Sequence, residues 1–355
     1  MTVAPPRALG AVVLVLALAG CSVVDVVRRS PPPRPTPTPP PAAFELRSSV
    51  VRVPAGFHAR TVSFLDARFG AALFTKCSLP KRRVGNHNDC TARLFVTDDG
   101  GGSWVARDHP EPVADGHQLT LGVGGQVALL AEPQHWYLSN DAGRTFRPST
   151  VDPLPAEYEI CCDREPEREV LRSGRPLPAA PALSQPLTSV LARPGRDLWV
   201  AGAEGTAVSG DDGRSWTTVV VPGREADVTQ LTLRASADNE DVWLLAGTVA
   251  PRAYPQIWRL DGGAWLPVEA EGHPRDSISA APVGGGALAV STPSGIGLVA
   301  PGQGWRPTDW PARGLLRTLR DGTLLARDDL TGALWLGPGG GTRRAWIKLE
   351  LRPET

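Results

Sequence analysis

The feature that most restricts what this chain can become is an octet that occurs three times. It reads Thr97-Asp98-Asp99-Gly100-Gly101-Gly102-Ser103-Trp104, then Ser139-Asn140-Asp141-Ala142-Gly143-Arg144-Thr145-Phe146, then Ser209-Gly210-Asp211-Asp212-Gly213-Arg214-Ser215-Trp216. Each copy suits a tight hairpin. The third-place carboxylate (Asp99, Asp141, Asp211) accepts bonds from N–H groups of its own turn. The glycine two residues later (Gly101, Gly143, Gly213) takes a positive φ without a Cβ clash. A hydroxyl then closes the loop, and the ring (Trp104, Phe146, Trp216) opens the return strand and packs inward. The doubled carboxylates Asp98–Asp99 and Asp211–Asp212 therefore read as turn chemistry, not as acid/base pairs.

Degenerate copies follow at Asp261-Gly262-Gly263-Ala264-Trp265, at Pro301 to Trp305 and at Gly341 to Trp346. The aromatic markers at 104, 146, 216, 265, 305 and 346 are 42, 70, 49, 40 and 41 residues apart. That period is the size of a four-stranded unit, with one insertion. The 38 Gly and 36 Pro favour many turns over long helices. Strand-like runs fill the intervals, clearest at Leu187 to Leu191, Asp197 to Ala201, Thr206 to Ser209 and Trp216 to Val221. The octet resembles the Asp-box, or bacterial neuraminidase repeat, of sialidase-like β-propellers. That resemblance implies an all-β propeller in which each box joins the third and fourth strands of a blade. Six markers predict six blades; seven follow if residues 150–186 hold another, although that segment is Pro-rich, charged and without alternation. Ser48 to Gly56 mimics the fourth strand Trp216 to Gly223, so the two chain ends are expected to close the ring.

Ahead of the propeller, Arg7 precedes an apolar run from Ala8 to Ala19 that is short for a membrane span and ends Leu18-Ala19-Gly20-Cys21. This ending resembles a bacterial lipobox, which implies a signal peptide over 1–20 and a lipidated Cys21. Acyl chains bury about 0.8 kcal/mol per CH₂, so two or three anchor durably. The expected location is the extracytoplasmic side of the cell membrane. Residues 21–43, dense in Pro, form a semi-rigid spacer, and the propeller spans 44–355 with insertions at 78–89 and 147–186.

Four cysteines remain beyond Cys21. Cys77 ends a predicted second strand and Cys90 begins a third, so a staple between them is geometrically natural. Cys161 and Cys162 are then left as a vicinal bridge or two thiols; cross-linking of the two insertions is the alternative. No CxxC or HExxH spacing points to a metal, and no cofactor motif appears. With 37 basic and 37 acidic side chains the net charge is zero, which argues against a nucleic-acid partner.

If the octets join strands three and four, the loops between strands two and three and the links between blades occupy the opposite face. Both insertions then share that face, which carries the ligand pocket in sialidase-like proteins. Arg82, Arg83 and His87 from the first, Tyr158 from the second, and Arg252 and Tyr254 from the loop 250–255 are the candidate contacts. The resemblance also implies an alternative function, exo-α-sialidase-like glycoside hydrolysis, which needs clustered arginines around a Tyr–Glu pair. Only Tyr137, Tyr158 and Tyr254 are available, and the Arg-Ile-Pro signature is missing. The expectation is a monomeric, non-catalytic binding or scaffold module with no catalytic residues, for a protein or glycan ligand. The photosystem II assembly-factor type of propeller is a non-enzymatic precedent that it resembles in fold.

Overall fold

A computed structural model describes residues 44–78, 89–133, 135–161, 169–184, 186–248, 250, 252–328 and 330–353. The predicted leader, Cys21, the spacer, Arg82, Arg83, His87 and Cys162 lie outside the described residues. Seven sheets follow one another along the chain, at 58–107, 117–149, 158–176, 187–219, 228–267, 279–307 and 315–353. The molecule is an all-β propeller, and its blades number seven, not six.

Blade four is the regular pattern: Leu187–Arg193, Asp197–Gly202, Thr206–Ser209 and Thr217–Val219 pair in sequence order. Its second strand, Leu198 through Ala201, is buried on both faces, because neighbouring blades sandwich it; the run is therefore continuously apolar instead of alternating. Blade three is the one the markers miss. It consists of Tyr158–Cys161, Glu169–Arg172 and Arg175–Pro176. Strands of four, four and two residues are too short to display a period of two, and a blade without a fourth strand has no place for an octet. It also runs backwards. Leu187–Arg193 ends beside the octet turn of blade four, whereas Tyr158–Cys161 starts there, its first hydroxyl 3.3 Å from Asp212.

All three octets fold alike. In the third, Ser209 Oγ donates to Asp211 at 2.8 Å, the Gly213 amide donates to Ser209 Oγ at 2.8 Å, and Ser215 donates to Asp211 through both its amide and its hydroxyl. The fourth and fifth positions are both left-handed: Asp212 at φ 57° and Gly213 at 79°, matched by Ala142 at 57° and Gly143 at 75°. At Gly213 a Cβ would come within 2.6 Å of Leu177, so space as well as φ demands glycine there.

Each aromatic marker packs into the seam between its own blade and the preceding one. Trp104 joins Leu336 and Leu349 of blade seven, and Phe146 joins Leu94 and Val96 of blade one. Trp216 lies with Val170, Trp265 with Trp199, Trp305 with Trp243, and Trp346 with Ile296. Blade three contributes no marker, and among the described residues no buried cluster joins blades two and three.

The chain ends do meet, with a difference from expectation. Trp346–Pro353 is the fourth strand of blade seven, and Phe44–Val51 adds to it as a fifth, in parallel, from Phe44↔Trp346 to Val51↔Pro353. Cys77 and Cys90 are opposite each other in the ladder and disulfide-bonded. Cys161 is also disulfide-bonded.

Candidate functional site

Because strands alternate in direction, octet turns share one end of the blades with the turns between first and second strands. Loops between second and third strands, and links between blades, share the other end, the loop face. The Cys77–Cys90 bridge closes the base of one such loop. Arg252 and Tyr254 belong to another, between Val242–Thr248 and Gln256–Asp261 of blade five. This loop is held by the link into blade six. The Tyr254 amide donates to Arg275 O at 2.9 Å, the Ser277 amide donates to Arg252 O at 2.8 Å, and Ala253 bridges Asp276. The Tyr254 ring stacks on His273 at 4.0 Å and meets Trp305 edge-on at 5.9 Å. Its hydroxyl is buried without a hydrogen-bond partner among the described residues, and burial raises its pKa. Arg252, His273 and Arg275 are exposed around it, with Ile278 41% exposed. The result is a rigid aromatic platform edged with cations.

Tyr158 does not join this patch. The reversed first strand of blade three carries it to the octet end, which corrects the expectation that both insertions share one face. There its hydroxyl donates to Asp212, and Arg172 lies over its ring at 5.3 Å. Arg172 also pairs with Asp212 at 3.3 Å and Glu157 at 3.4 Å. Burial, together with Asp212, raises the Tyr158 pKa. These groups and Arg193 to Leu198 border a cleft of about 450 Å³. Tyr137 is a third case: its hydroxyl donates to Glu111 at 2.9 Å, beside His135.

The inner wall of the ring carries cations too. Arg234 ends the first strand of blade five, Arg317 lies on that of blade seven, and both line a cavity of about 410 Å³ with Ala235, Ala280, Ala281, Pro282, Leu316 and Thr318. Neither a Tyr nor a carboxylate is among those residues. Among the described residues, Tyr158 is the tyrosine that shares a cleft with several arginines, namely Arg172, Arg193, Arg196 and Arg214, and the first three of these are each paired with a carboxylate. No group of three or more His, Cys, Asp or Glu is arranged to hold a metal among the described residues.

Sequence reasoning missed His273, Arg275, Arg234 and Arg317. The first two lie in a blade-to-blade link, adjacent to Tyr254 only through topology. The other two sit on inner strands, where a four-residue run such as Leu315–Thr318 does not reveal which side faces the axis.

No protein-family model matches the chain, and no curated protein matches it. Solved structures similar to it include YCF48 bound to D1 peptide, at 16% identity over 84% of each chain with a TM-score of 0.34. Another is the GH74 enzyme of Niastella koreensis, at 10% identity over 82% of this chain and 46% of that one, TM-score 0.34. A third is PorZ, a surface component of the type-IX secretion system of Porphyromonas gingivalis, at 12% identity over 82% and 38%, TM-score 0.46.

Proposed function

We propose that this chain is a non-catalytic binding or scaffold module, anchored by a lipidated Cys21 on the extracytoplasmic side of a bacterial membrane, which recognises a protein or glycan with its loop face. The observation that carries the reading is the pre-ordered loop 252–254. Its pairing with the link to blade six and the Tyr254–His273 stack hold the loop through the protein's own contacts, so little ordering entropy is lost on contact. Aromatic rings beside arginines suit both glycan faces and protein hot spots. Arg82, Arg83 and His87 belong to the loop above the Cys77–Cys90 bridge and are proposed to extend the same surface.

Two measurements test this. Cys21→Ala is expected to move the protein from the membrane to the soluble fraction; retention in the membrane sinks the anchor. Binding of the purified protein to isolated cell envelopes is expected to fall several-fold in Arg252→Glu with an unchanged melting temperature. Unaltered binding removes the loop face from the reading.

One observation favours a second reading, glycoside hydrolysis: Tyr158 lies among Glu157, Asp212 and Arg172 beside a cleft. A fluorogenic sialoside decides it. Turnover lost in Tyr158→Phe would replace the binding proposal with this one.

A further inference from the structure

We infer that the ring holds a second site, at the octet end of its inner wall, where Arg234 and Arg317 take the head of an organic carboxylate whose apolar body lies against Ala235, Ala280 and Pro282. It goes beyond the loop-face reading and is at the other end of the blades.

Several arginines elsewhere in the fold are engaged by protein partners. Arg259 pairs with Asp241 at 2.7 Å, and Arg313 with Asp328 at 2.9 Å. Arg193 is joined to Asp197 by two hydrogen bonds. Arg344, with no carboxylate bonded to it, donates to the carbonyls of Gly322, Gly337, Gly339, Gly341 and Val283. The inner-wall pair, both of them exposed to water, is less engaged. Arg234 donates only to the carbonyl of Leu233, at 3.2 Å, and Arg317 makes no hydrogen bond or ion pair among the described residues. A guanidinium has five N–H donors, so most of this capacity is left for water or a ligand. Arg234 is open to water yet ringed by protein, and that confinement lowers its pKa. An anion between the two guanidinium groups would be attracted by both.

The rest of the lining selects the kind of anion. Ala235, Ala280, Ala281, Pro282 and Leu316 offer an apolar surface, and the small side chains create the room. The Thr318 hydroxyl is already committed to Pro282 O at 2.5 Å, so the charged heads are left to the arginines. Guanidinium forks match a carboxylate bidentately. At about 410 Å³ the cavity takes a head and a short chain. A free fatty or hydroxy acid and the terminal carboxylate of a peptide share this chemistry.

Calorimetric titration of the full chain tests the proposal with hexanoate, inorganic phosphate, and acetyl-Gly-Ala-Leu as free acid and as amide. Saturable binding of hexanoate or the free-acid peptide, with none of the amide, supports it; the tighter of the two names the source. Arg317→Gln is expected to weaken that binding about tenfold, and Arg317→Lys to restore it only in part, since an ammonium lacks the fork. Among the described residues Arg317 has no hydrogen-bond or ion-pair partner, so both variants should melt as the parent does. Phosphate binding as tight as hexanoate, or amide binding as tight as the acid, overturns the assignment. So does an Arg317→Gln variant that binds normally. Arg252→Glu should leave hexanoate binding intact; if no carboxylate binds while envelope binding still depends on Arg252, the inner site fails and the loop face stands.

Discussion

Asp99 shows what a single octet carboxylate contributes. Burial would raise its pKa, but bonds from Ser103, Thr97 and Gly102 outweigh that and hold it at about 2. Asp211 reaches about 2 through the Ser215 hydroxyl and amide and the Ser209 hydroxyl. Both values are below the ordinary 3.8, so the stabilisation is complete above about pH 4 and is lost as pH falls toward 2. A melting curve should therefore step down between those limits, and Asp99→Ala should shrink the step while costing about 1 kcal/mol at neutral pH. A step of unchanged size would deny the octets this role. Trp265 sets the larger scale. It is fully buried, its indole N–H donates to Thr206 at 2.8 Å, and it meets Trp199 edge-on. Trp265→Ala should cost about 3–5 kcal/mol in urea unfolding, whereas the part-exposed Trp216 should cost visibly less. The octet residues were legible because their chemistry is local: a carboxylate finds its donors within four positions. Arg234 and Arg317 were not, because their meaning lies in what is missing across three blades.

At the level of elements, the strands around Cys77 and Cys90 could be read directly, since the apolar runs Gly70–Cys77 and Cys90–Thr97 end and begin at the cysteines. Their bridge spans a sequence separation of 13 residues. Closing a loop of that size restricts the unfolded chain by about 3 kcal/mol. Cys77→Ser with Cys90→Ser should lower the unfolding free energy by a comparable amount, and reductant should then have less effect on the variant than on the parent. An unchanged unfolding midpoint would mean that the strand ladder alone fixes the loop. Blade three was illegible for a physical reason. Its strands are short, their direction is reversed, and its packing relies on Leu177 and Leu183 from the segment after the last strand. That segment lies against the octet of blade four, where the Ala179 amide donates to Gly213 O at 3.0 Å and the Ala179 carbonyl accepts the Trp216 indole N–H at 2.9 Å.

Across the whole molecule, among the described residues, six seams have an aromatic wedge and the seventh, between blades two and three, has none. Hydrophobic burial is the main term holding blades together, so the ring should open first at that seam. Hydrogen exchange followed by mass spectrometry should show the amides of His117–Gly122 and Tyr158–Cys161 exchanging faster than those of Leu187–Arg193 and Val228–Ala235, which face each other across Trp199. Uniform protection around the ring would remove this weak point.

Pro353 lies beside Val51, one strand spacing of about 4.8 Å away, where the chain departs for blade one. The circle is thus covalently incomplete by the width of a single backbone pairing, and where it starts is nearly a matter of convention. Joining Pro353 to Arg52 with a short connector, which gives up the strand Phe44–Val51, and cutting instead between blades two and three would give a circular permutant that keeps the seven blades.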